Sequence, residues 1–563
     1  MRLLSSAGIV CGMPSQTPNI LLIMTDQERY PTVYEDDAIA EFRRTQLPSR
    51  ARLIREGLEF HHHYAGSTAC APSRATLFTG HYPSLHGVTS TDGIAKLATD
   101  VQMQWLDPDV VPTMGHYFQA AGYRTYYRGK WHISHADLAT PGTHEGLQTS
   151  DAQGRILQEM VELYQRTDRL EPFGFTGWIG REPHGADLAD SGSVRDAVFA
   201  DQVTDLFETL GDDSDPRPWL AVASFVNPHD IIFAGPAWKT LGLPEPDETV
   251  PHIAEAPSQS DSFDDRPDCQ RQWRECWPAM TFDIPLDNDF RRLYYWLMKT
   301  VDSAIGAVLD ALDASGMADN TIVVFTSDHG ELLGAHGGLQ QKWYNAYEEA
   351  LHVPFIVRGP GIEGRADGVQ VPTSHVDLVP TLLGLAGADA ASLLDLVGAH
   401  HTEAQPLPGR NLAGVVRSPE SQVDNDQPIY FMTEDQFSQG PNSTNPMTGN
   451  SFTPVTGASN VEAVVTALRT GLGGARELWK LAHYYGTPGS ADAALTATEV
   501  YNLTADPQER HNLATDSAAP VAELYEVLKQ QRAAKRATPR FANATKHDAA
   551  RALGEAMSSG QTL

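Results

Sequence analysis

The sequence predicts an α/β fold in which a mostly parallel sheet is flanked by helices and is followed by a smaller antiparallel sheet. Two largely apolar runs, 19–25 and 321–327, each end at an aspartate. Such continuous runs are typical of strands that are buried on both faces of a parallel sheet. Helical and strand-like segments alternate between the two runs, as they do in α/β folds. After residue 426, strand-like segments follow one another directly, which indicates an antiparallel sheet.

The first and larger part of the chain is predicted to hold the parallel sheet. One helical pattern ends at Gly57 and another at Gly122, and glycine after a helical pattern is a common C-terminal signal. A long amphipathic helix precedes the strand that ends at Asp328. The predicted helices are 49–56, 114–121, 290–312 and 376–383, and further strands are predicted over 123–127 and 219–226.

Composition divides the chain into domains. The stretch from 391 to 426 is rich in small, polar and proline residues, which predicts a linker-like loop. We expect an α/β domain over 13–390, a C-terminal domain over 427–540 and a loosely held tail over 541–563. The C-terminal domain should combine a small antiparallel sheet with one helix: strands 429–433, 461–467, 478–485 and 499–503, and helix 521–532.

Charge and cysteine content exclude several classes of protein. The formal net charge of −31 disfavours nucleic acid as a partner, because phosphate backbones are bound by clustered lysine and arginine. The 4 cysteines are too sparse for a disulfide scaffold. Cys269 and Cys276 either form one local bridge or remain two unpaired thiols in a polar, tryptophan-rich loop.

No apolar run reaches the roughly 18 residues of a membrane span. Because the N-terminal signal-like patch is weak, we expect a cytoplasmic location.

Two acids are predicted to meet at one edge of the sheet. Asp26 and Asp328 each follow a buried strand, and the carboxyl ends of parallel strands form the edge where α/β sheets bind ligands. His329 directly follows the second acid. Carboxylate oxygens and one imidazole suit a hard or borderline divalent cation. A single aspartate at a strand end is usually a cap or turn former, but two on separate buried strands favour a metal site.

Basic side chains follow the other predicted strands. Lys130 and His132 come after the strand over 123–127, His229 comes after the strand over 219–226, and Lys342 lies in the loop after the second acid. Any one of them alone is more simply a solvated lysine or a core histidine. Together with a cation they suit sulfuryl or phosphoryl transfer, in which charge on non-bridging oxygens must be balanced. A histidine can then protonate the departing oxygen.

The most informative segment is Cys70-Ala71-Pro72-Ser73-Arg74, followed by the helix-like Ala75-Thr76-Leu77-Phe78-Thr79-Gly80. A lone cysteine usually packs as a small hydrophobe. Here proline and arginine follow it at fixed offsets. With the two acid-tipped strands, and with a Tyr501-Asn502-Leu503 segment near the C-terminus, this motif resembles the formylglycine-dependent type I sulfatases of the alkaline-phosphatase-like superfamily. The resemblance extends from residue 18 to about residue 387 and again near the C-terminus.

The resemblance implies a mechanism. Cys70 would be oxidised to formylglycine by a formylglycine-generating enzyme, and the hydrated aldehyde would be both a metal ligand and the nucleophile. Arg74 and Lys130 would hold the hydrate and the sulfate oxygens. His229 and Lys342 would bind sulfate and assist the leaving alcohol. His132 would then take a proton from the second hydroxyl, which expels sulfate and restores the aldehyde.

Two positions depart from the commonest pattern of that family. The paired acids after the first strand are Asp26-Gln27, and the usual Asp-Asn pair is Asp328-His329. These variants resemble the choline-sulfatase and phosphonate monoester hydrolase branches. They leave open whether Gln27 is a ligand. We expect one divalent cation, Ca²⁺ first, with Mn²⁺ and Mg²⁺ as alternatives.

The predicted function is hydrolysis of a small-molecule sulfate monoester, as in an arylsulfatase-like enzyme. The alternative is a phosphonate monoester or phosphodiester hydrolase that uses the same site. A non-catalytic binding protein of this fold is the third possibility, and the complete set of basic groups argues against it. Trp178 either lines the substrate pocket or packs in the core. Neither the natural substrate nor the oligomeric state follows from the sequence.

Overall fold

A computed structural model describes residues 17–143, 145–183, 187–365, 367–470, 472–487, 489 and 491–540. The predicted domain start at residue 13, the predicted tail over 541–563 and Cys11 lie outside these residues. The strands are β1 Asn19–Asp26, β2 Leu58–Glu59, β3 His63–Tyr64, β4 Arg124–Gly129, β5 Trp219–Pro228, β6 Thr321–Ser327, β7 Phe355–Arg358, β8 Thr373–Ser374, β9 Ile429–Thr433, β10 Asn460–Leu468, β11 Glu477–Tyr485 and β12 Thr496–Asn502.

Helices lie on both faces of the main sheet and of the second sheet. They are α1 Asp37–Gln46, α2 Pro48–Glu56, α3 Cys70–Thr79, α4 Pro83–His86, α5 Met114–Ala120, α6 Gln158–Thr167, α7 Gly192–Asp212, α8 Pro236–Thr240, α9 Asp268–Met280, α10 Asn288–Ala314, α11 Ala335–Gly338, α12 Glu348–Leu351, α13 Leu378–Leu385, α14 Ala390–Gly398, α15 Ala413–Arg417 and α16 Val521–Lys535.

The main sheet has 6 strands in the order β2-β7-β6-β1-β5-β4. Strands β4, β5, β1 and β6 are parallel neighbours, whereas β7 and β2 add antiparallel edge strands. This confirms the predicted mostly parallel sheet. Because β1 and β6 are adjacent and Thr25 is in register with Ser327, the residues that follow them meet at one edge.

Strand β1 shows why its sequence reads as a continuous apolar run. Leu22 and Met24 pack into the core that includes α3 and α5, whereas Leu21 and Ile23 pack into the core that includes α7 and α10. Successive side chains of a strand point to opposite faces, so a strand between two helical layers needs apolar residues at every position. The two cores together keep water away from the carboxyl ends of the strands.

The C-terminal sheet is antiparallel in the order β12-β11-β10-β9, as predicted. Its two faces have different partners. Ala463 and Val465 on β10 face a core shared with α9 and Trp343, whereas Val464 faces α16. The sheet therefore packs directly against the larger part of the chain through one of its faces.

Two expectations about loops are wrong. The stretch over 391–426, expected to be a linker-like loop, contains most of α14 and all of α15, and apolar side chains such as Val397 and Val416 pack into the main core. Its small and polar composition hid a short helical pattern. Cys269 and Cys276 lie in helix α9 rather than in a loop, and both are free, buried thiols. The exact domain boundaries stay a prediction.

The helices in the part of the chain that the structure describes can be compared with the length and apolarity that a membrane span requires. No single helix there is long and apolar enough to cross a bilayer. The bent pair His375–Leu385 and Ala390–Gly398, with 101° between its halves, passes the same test by length and composition alone.

A buried lysine joins the C-terminal sheet to helix α12 of the larger part of the chain. Lys480 on β11 is 1% exposed, and its Nζ lies 2.7 Å from Glu348 Oε1 on α12 and 2.8 Å from Glu509 Oε1. Burial opposes its charge, but the two carboxylates raise the pKa of Lys480 above its usual value. The ammonium therefore stays charged and holds both acids.

We expect Lys480→Met to lower the free energy of unfolding by about 3 kcal/mol, because it leaves buried carboxylates without their cation. Urea unfolding followed by circular dichroism measures this. Lys529→Met is the matched control, since Lys529 is exposed and lies 3.8 Å from Glu526. Equal free energies of unfolding of the two variants would show that the contacts of Lys480 with Glu348 and Glu509 do not stabilise the packing of the C-terminal sheet against α12.

Candidate active site

A cavity of 680 Å³ opens at the carboxyl edge of the main sheet. Four of the predicted site residues line it: Cys70, His132, His229 and Lys342. The remaining predicted residues lie behind Cys70, because Asp26, Arg74, Lys130, Asp328 and His329 are all buried but are absent from the cavity wall. The structure thus brings the predicted residues together in two layers.

Helix α3 begins at Cys70 itself, five residues before the helix-like run 75–80 that the sequence indicated. Pro72 is tolerated there because the first turn of a helix needs no N–H donor from that position. The helix ends at Gly80, whose φ of 68° suits a glycine cap, and the Gly80 N–H donates to the Thr76 carbonyl. The positive end of the helix dipole therefore lies at Cys70, where it favours an anion.

Arg74 bonds to both strand-end acids. Its Nε donates to Asp328 Oδ2 at 2.8 Å and its Nη2 donates to Asp26 Oδ2 at 3.0 Å. Its Nη1 donates to the Lys130 carbonyl at 2.8 Å and to Ser224 Oγ at 2.9 Å. One turn of α3 thus places Cys70 and a guanidinium that orients both acids. The predicted contact of Arg74 with sulfate stays a prediction.

Lys130 adds a second cation beside the two acids. Its Nζ lies 2.7 Å from Asp26 Oδ2. Burial would raise the pKa of Asp26, but Lys130 and Arg74 hold it well below its usual value. Burial raises the pKa of Asp328 to about 7, and the neighbouring Asp26 charge adds to the rise. The negative charge of Asp328 is therefore only partly compensated by the side chains around it.

The Cys70 thiol faces this layer. Its Sγ lies 3.2 Å from His329 Nε2 and 3.7 Å from Asp26 Oδ1. Burial raises the pKa of the Cys70 thiol to about 12, and the Asp26 carboxylate contributes. Since the thiolate is the reactive form of cysteine, an unmodified Cys70 is a poor nucleophile at neutral pH.

His329 presents a metal-binding nitrogen to the same place. Its Nδ1 donates to the Gly330 carbonyl at 3.0 Å, because a carbonyl can only accept. The Nε2 lone pair then points at the cluster, 3.8 Å from Asp26 Oδ1 and 3.7 Å from Asp328 Oδ1. Burial, with Lys342 adding, lowers the pKa of His329 well below its usual value, so the imidazole is neutral.

These donors fit a divalent cation. Asp26, Cys70, Asp328 and His329 offer ligand atoms that all lie within 4.8 Å of one another. Two carboxylates and a neutral imidazole are ligands for hard or borderline divalent ions. A cation bound among them would supply the compensation that Asp328 lacks.

Gln27 is held in a left-handed backbone conformation with φ of 70°, which costs a non-glycine residue roughly 1–2 kcal/mol. A network of hydrogen bonds stabilises it. Its N–H donates to Asp328 Oδ1 at 3.0 Å, its Oε1 accepts from Lys342 Nζ at 2.7 Å, and its Nε2 donates to Gln341 Oε1 at 3.0 Å and to Glu331. In this arrangement the Gln27 side chain places Lys342, and strained backbone of this kind clusters at active sites.

His132 is positioned from two sides. Its Nε2 donates to Asp92 Oδ1 at 2.7 Å, and its backbone N–H donates to Glu182 Oε1 at 2.7 Å. His132 also has a left-handed backbone, with φ of 57°. The Asp92 contact orients the ring, as a carboxylate orients the histidine in acid–base catalysis.

His229 directly follows β5, and the positive charges of Lys130 and Lys342 act on its imidazole ring. Burial lowers the pKa of His229 well below its usual value, and Lys130 adds to the effect. The neutral ring can donate one N–H into the cavity. Asp196 on α7 supports the end of β5, since its carboxylate accepts from the N–H groups of Val226 and Asn227 at 2.6 and 3.1 Å.

Sequence reasoning missed the residues that position the predicted ones. Asp92, Glu182 and Gln341 lie in irregular segments, and no local pattern connects them to the residues they contact. Glu331 had a weak signal, because it completes the His329-Gly330-Glu331 run. Trp178, for which cavity and core were both open, is a core residue: it is 1% exposed and its Nε1 donates to the Gly129 carbonyl.

Comparisons with known proteins agree on the family. Residues 18–388 match the sequence profile named Sulfatase. The chain is 29% identical over 411 residues to the choline-sulfatase of Rhizobium meliloti, and the aligned region covers 69% of this chain and 74% of that protein. It is 27% identical over 461 residues to the steryl-sulfatase of Rattus norvegicus, and the aligned region covers 69% of this chain and 70% of that protein.

Solved structures share the fold. The phosphonate monoester hydrolase from Silicibacter pomeroyi superposes with a TM-score of 0.58 at 21% identity, over 92% of this chain and 96% of that one. The chain belongs to the sulfatase family, within the alkaline-phosphatase superfamily. It is a sulfuric ester hydrolase, which confirms the predicted class of enzyme.

We expect Asp92→Asn to lower kcat at least about tenfold, because the acid–base role predicted for His132 depends on its orienting carboxylate. Steady-state kinetics on an aryl sulfate measures this, with the bound metal content unchanged. In a His132→Ala background the same substitution should have no further effect. An equal loss in both backgrounds would show that Asp92 does not act through His132.

Proposed function

We propose that this enzyme hydrolyses a small-molecule sulfate monoester to an alcohol or phenol and sulfate, with a formylglycine derived from Cys70 as nucleophile and one divalent cation. The observation that carries the proposal is the position of Cys70. It lies on the cavity wall at the start of α3, and its sulfur is within 3.7 Å of both Asp26 and His329. The side chain at position 70 therefore lies at the cavity and beside the proposed metal ligands at the same time.

Asp26, Asp328 and His329 would hold the cation together with position 70. A divalent cation here supplies a Lewis acid that polarises the sulfate and makes a coordinated hydroxyl more acidic. A formylglycine at position 70 would supply a hydrated aldehyde, and one of its hydroxyl oxygens would bond to sulfur as the bond between sulfur and the oxygen of the leaving alcohol breaks. Conversion needs a formylglycine-generating enzyme, which we propose as the maturation partner, and burial of Cys70 favours conversion before folding is complete.

The chain's own residues bind and orient the ester. Lys342, held by Gln27 at 2.7 Å, presents its ammonium to the cavity, where it binds non-bridging oxygens. His229 donates an N–H to the oxygen of the leaving alcohol. Lys130 and Arg74 keep Asp26 ionised and in place. These interactions balance the charge that spreads over the transferred group.

His132 moves a proton in the second half of the reaction. It lies on the cavity wall and is oriented by Asp92. We propose that it accepts the proton from the remaining hydroxyl at position 70, so that sulfate leaves and the aldehyde forms again. A serine at this position lacks that second hydroxyl and would stay sulfated.

Phosphonate monoester or phosphodiester hydrolysis is the second candidate. Gln27 and His329 stand where most type I sulfatases have an acid and an asparagine, and this pair resembles the phosphonate monoester hydrolase branch. The same cavity and cations accommodate either tetrahedral anion. The leaving group and the rate of hydrolysis of each kind of ester, rather than the geometry of the site, distinguish the two candidate functions.

We expect protein produced with a formylglycine-generating enzyme to hydrolyse phenyl sulfate, and Cys70→Ala to lower kcat/KM at least about a thousandfold with the fold intact. Phenyl methylphosphonate under the same conditions tests the second candidate. Higher kcat/KM on the phosphonate would contradict the proposed sulfatase specificity. Full activity of the alanine variant on both esters would contradict the nucleophile.

We expect Asp328→Asn to lose the bound cation, because it removes one charged ligand and keeps the shape of the side chain. Elemental analysis gives the metal content of purified protein, and titration of chelator-treated enzyme with Ca²⁺, Mn²⁺ or Mg²⁺ gives the identity. Asp247→Asn is the control, since Asp247 pairs with Lys299 at the surface. Unchanged metal content in Asp328→Asn would remove Asp328 from the ligand set.

A further inference from the structure

We infer that the alcohol part of the substrate is a bulky aromatic or alicyclic ring system, without further anionic groups, that fills the cavity above Cys70. This inference rests on the proposed function, since it assigns the substrate class to the same site. It derives from the size, walls, rim and charge of the cavity, each of which is independent of the chemistry at position 70.

The size of the cavity calls for a large leaving group. At 680 Å³ it falls within the range of about 300–1,000 Å³ in which protein pockets enclose drug-sized ligands. A sulfate group bound by Lys342 and His229 occupies only its base. A small alcohol would leave apolar walls in contact with water, which is unfavourable.

Aromatic rings begin directly beside the catalytic side chains. The Trp105 ring lies 6.0 Å from the His132 ring, and the Lys342 ammonium lies 4.5 Å from the centre of the Trp343 ring. Trp343 stacks on Phe437 at 3.9 Å. Both Trp343 and Phe437 line the cavity, and such flat apolar walls pack well against rings.

The rim of the cavity is apolar and exposed. Leu97 and Met447 line it, and each is 56% exposed. They come from separate segments, since Leu97 follows α4 whereas Met447 lies between β9 and β10 of the second sheet. Large exposed apolar side chains at the mouth of a pocket mark a surface that a ligand covers. A ring system that extends out of the cavity would bury both.

The charge of the lining disfavours a polyanionic sugar. Among the described lining residues, the lysine and arginine side chains are Lys342, already assigned to the sulfate, and Arg181. Arg181 is paired with Asp190 and lies 3.2 Å from Asp187. Four carboxylates, those of Asp92, Asp137, Glu145 and Glu182, also line the cavity. A second sulfate or a carboxylate on the substrate would find no unassigned lysine or arginine among these described residues.

The test uses the converted enzyme and three phenolic esters whose leaving groups are similar in acidity but differ in size. These are phenyl sulfate, 2-naphthyl sulfate and the sulfate of a four-ring steroidal phenol. We expect kcat/KM to rise at least about tenfold from the smallest to the largest, as apolar contact accumulates. Choline sulfate and a disulfated glucosamine are the competing classes. A flat or falling series, or a higher kcat/KM for either competitor, would overturn the inference.

Rim variants test the location. Leu97→Glu and Met447→Glu should each lower kcat/KM for the four-ring sulfate about tenfold and leave phenyl sulfate within about twofold. Leu396→Glu is the matched control, because Leu396 is 58% exposed on α14 and does not line the cavity. Thermal unfolding checks that all three variants are folded. Equal losses on both esters would contradict a role for the rim in binding the ring system.

Failure of the proposed function is distinguishable from failure of this inference. The same three phenols as methylphosphonate monoesters give the size ranking if phosphonates rather than sulfates are hydrolysed. If no ester is hydrolysed, equilibrium dialysis with the four-ring phenol still measures cavity binding. Binding that is weakened by Leu97→Glu and unchanged by Leu396→Glu supports the inference, and absence of binding to the unsubstituted protein overturns it.

Discussion

Two carboxylates lie side by side in the interior of this protein, and Arg74 bonds to both. Asp26 and Asp328 are fully buried, as is the guanidinium between them. Removing one member of such a buried group leaves an uncompensated charge, so the three residues depend on one another. Because Arg74 lies one helical turn after Cys70, the same contact fixes the position of Cys70 against the acids. The geometry of the site follows from this single arrangement.

The parallel sheet makes the arrangement possible. Strands β4, β5, β1 and β6 lie side by side, and the ends of these strands and the segments after them supply Lys130, His229, Asp26 and Asp328. Residues that are far apart in the chain thus share one edge. The second sheet contributes in a different way. Its loops supply Phe437 and Met447 to the cavity wall, so the site needs both parts of the chain.

The local patterns of the chain predicted much of this. Strands β1, β5, β6 and β9 through β12 have strong apolar or alternating patterns, and the acids at strand ends follow from the rule that parallel strands align their carboxyl ends. Short elements were harder. Helices α14 and α15 lie in a stretch whose small and polar residues resemble a loop, and only tertiary packing of residues such as Val397 makes them helical.

The positioning residues were out of reach for a physical reason. Asp92 and Glu182 contact His132 across 40 and 50 residues of sequence. Gln27 and His132 have left-handed conformations, and the backbone N–H of each donates to a distant carboxylate. Sequence patterns report which face of an element is apolar, but they do not report which irregular segments meet. The side chains that meet at the candidate site were therefore predictable, whereas the side chains that orient them were not.

The most direct test of the account is the mass of the peptide that contains position 70, from enzyme that is active on a sulfate ester. The account predicts a peptide that has lost one sulfur and two hydrogens and gained one oxygen relative to cysteine, in proportion to the activity of the preparation. A fully active preparation in which Cys70 is an unmodified thiol would contradict it.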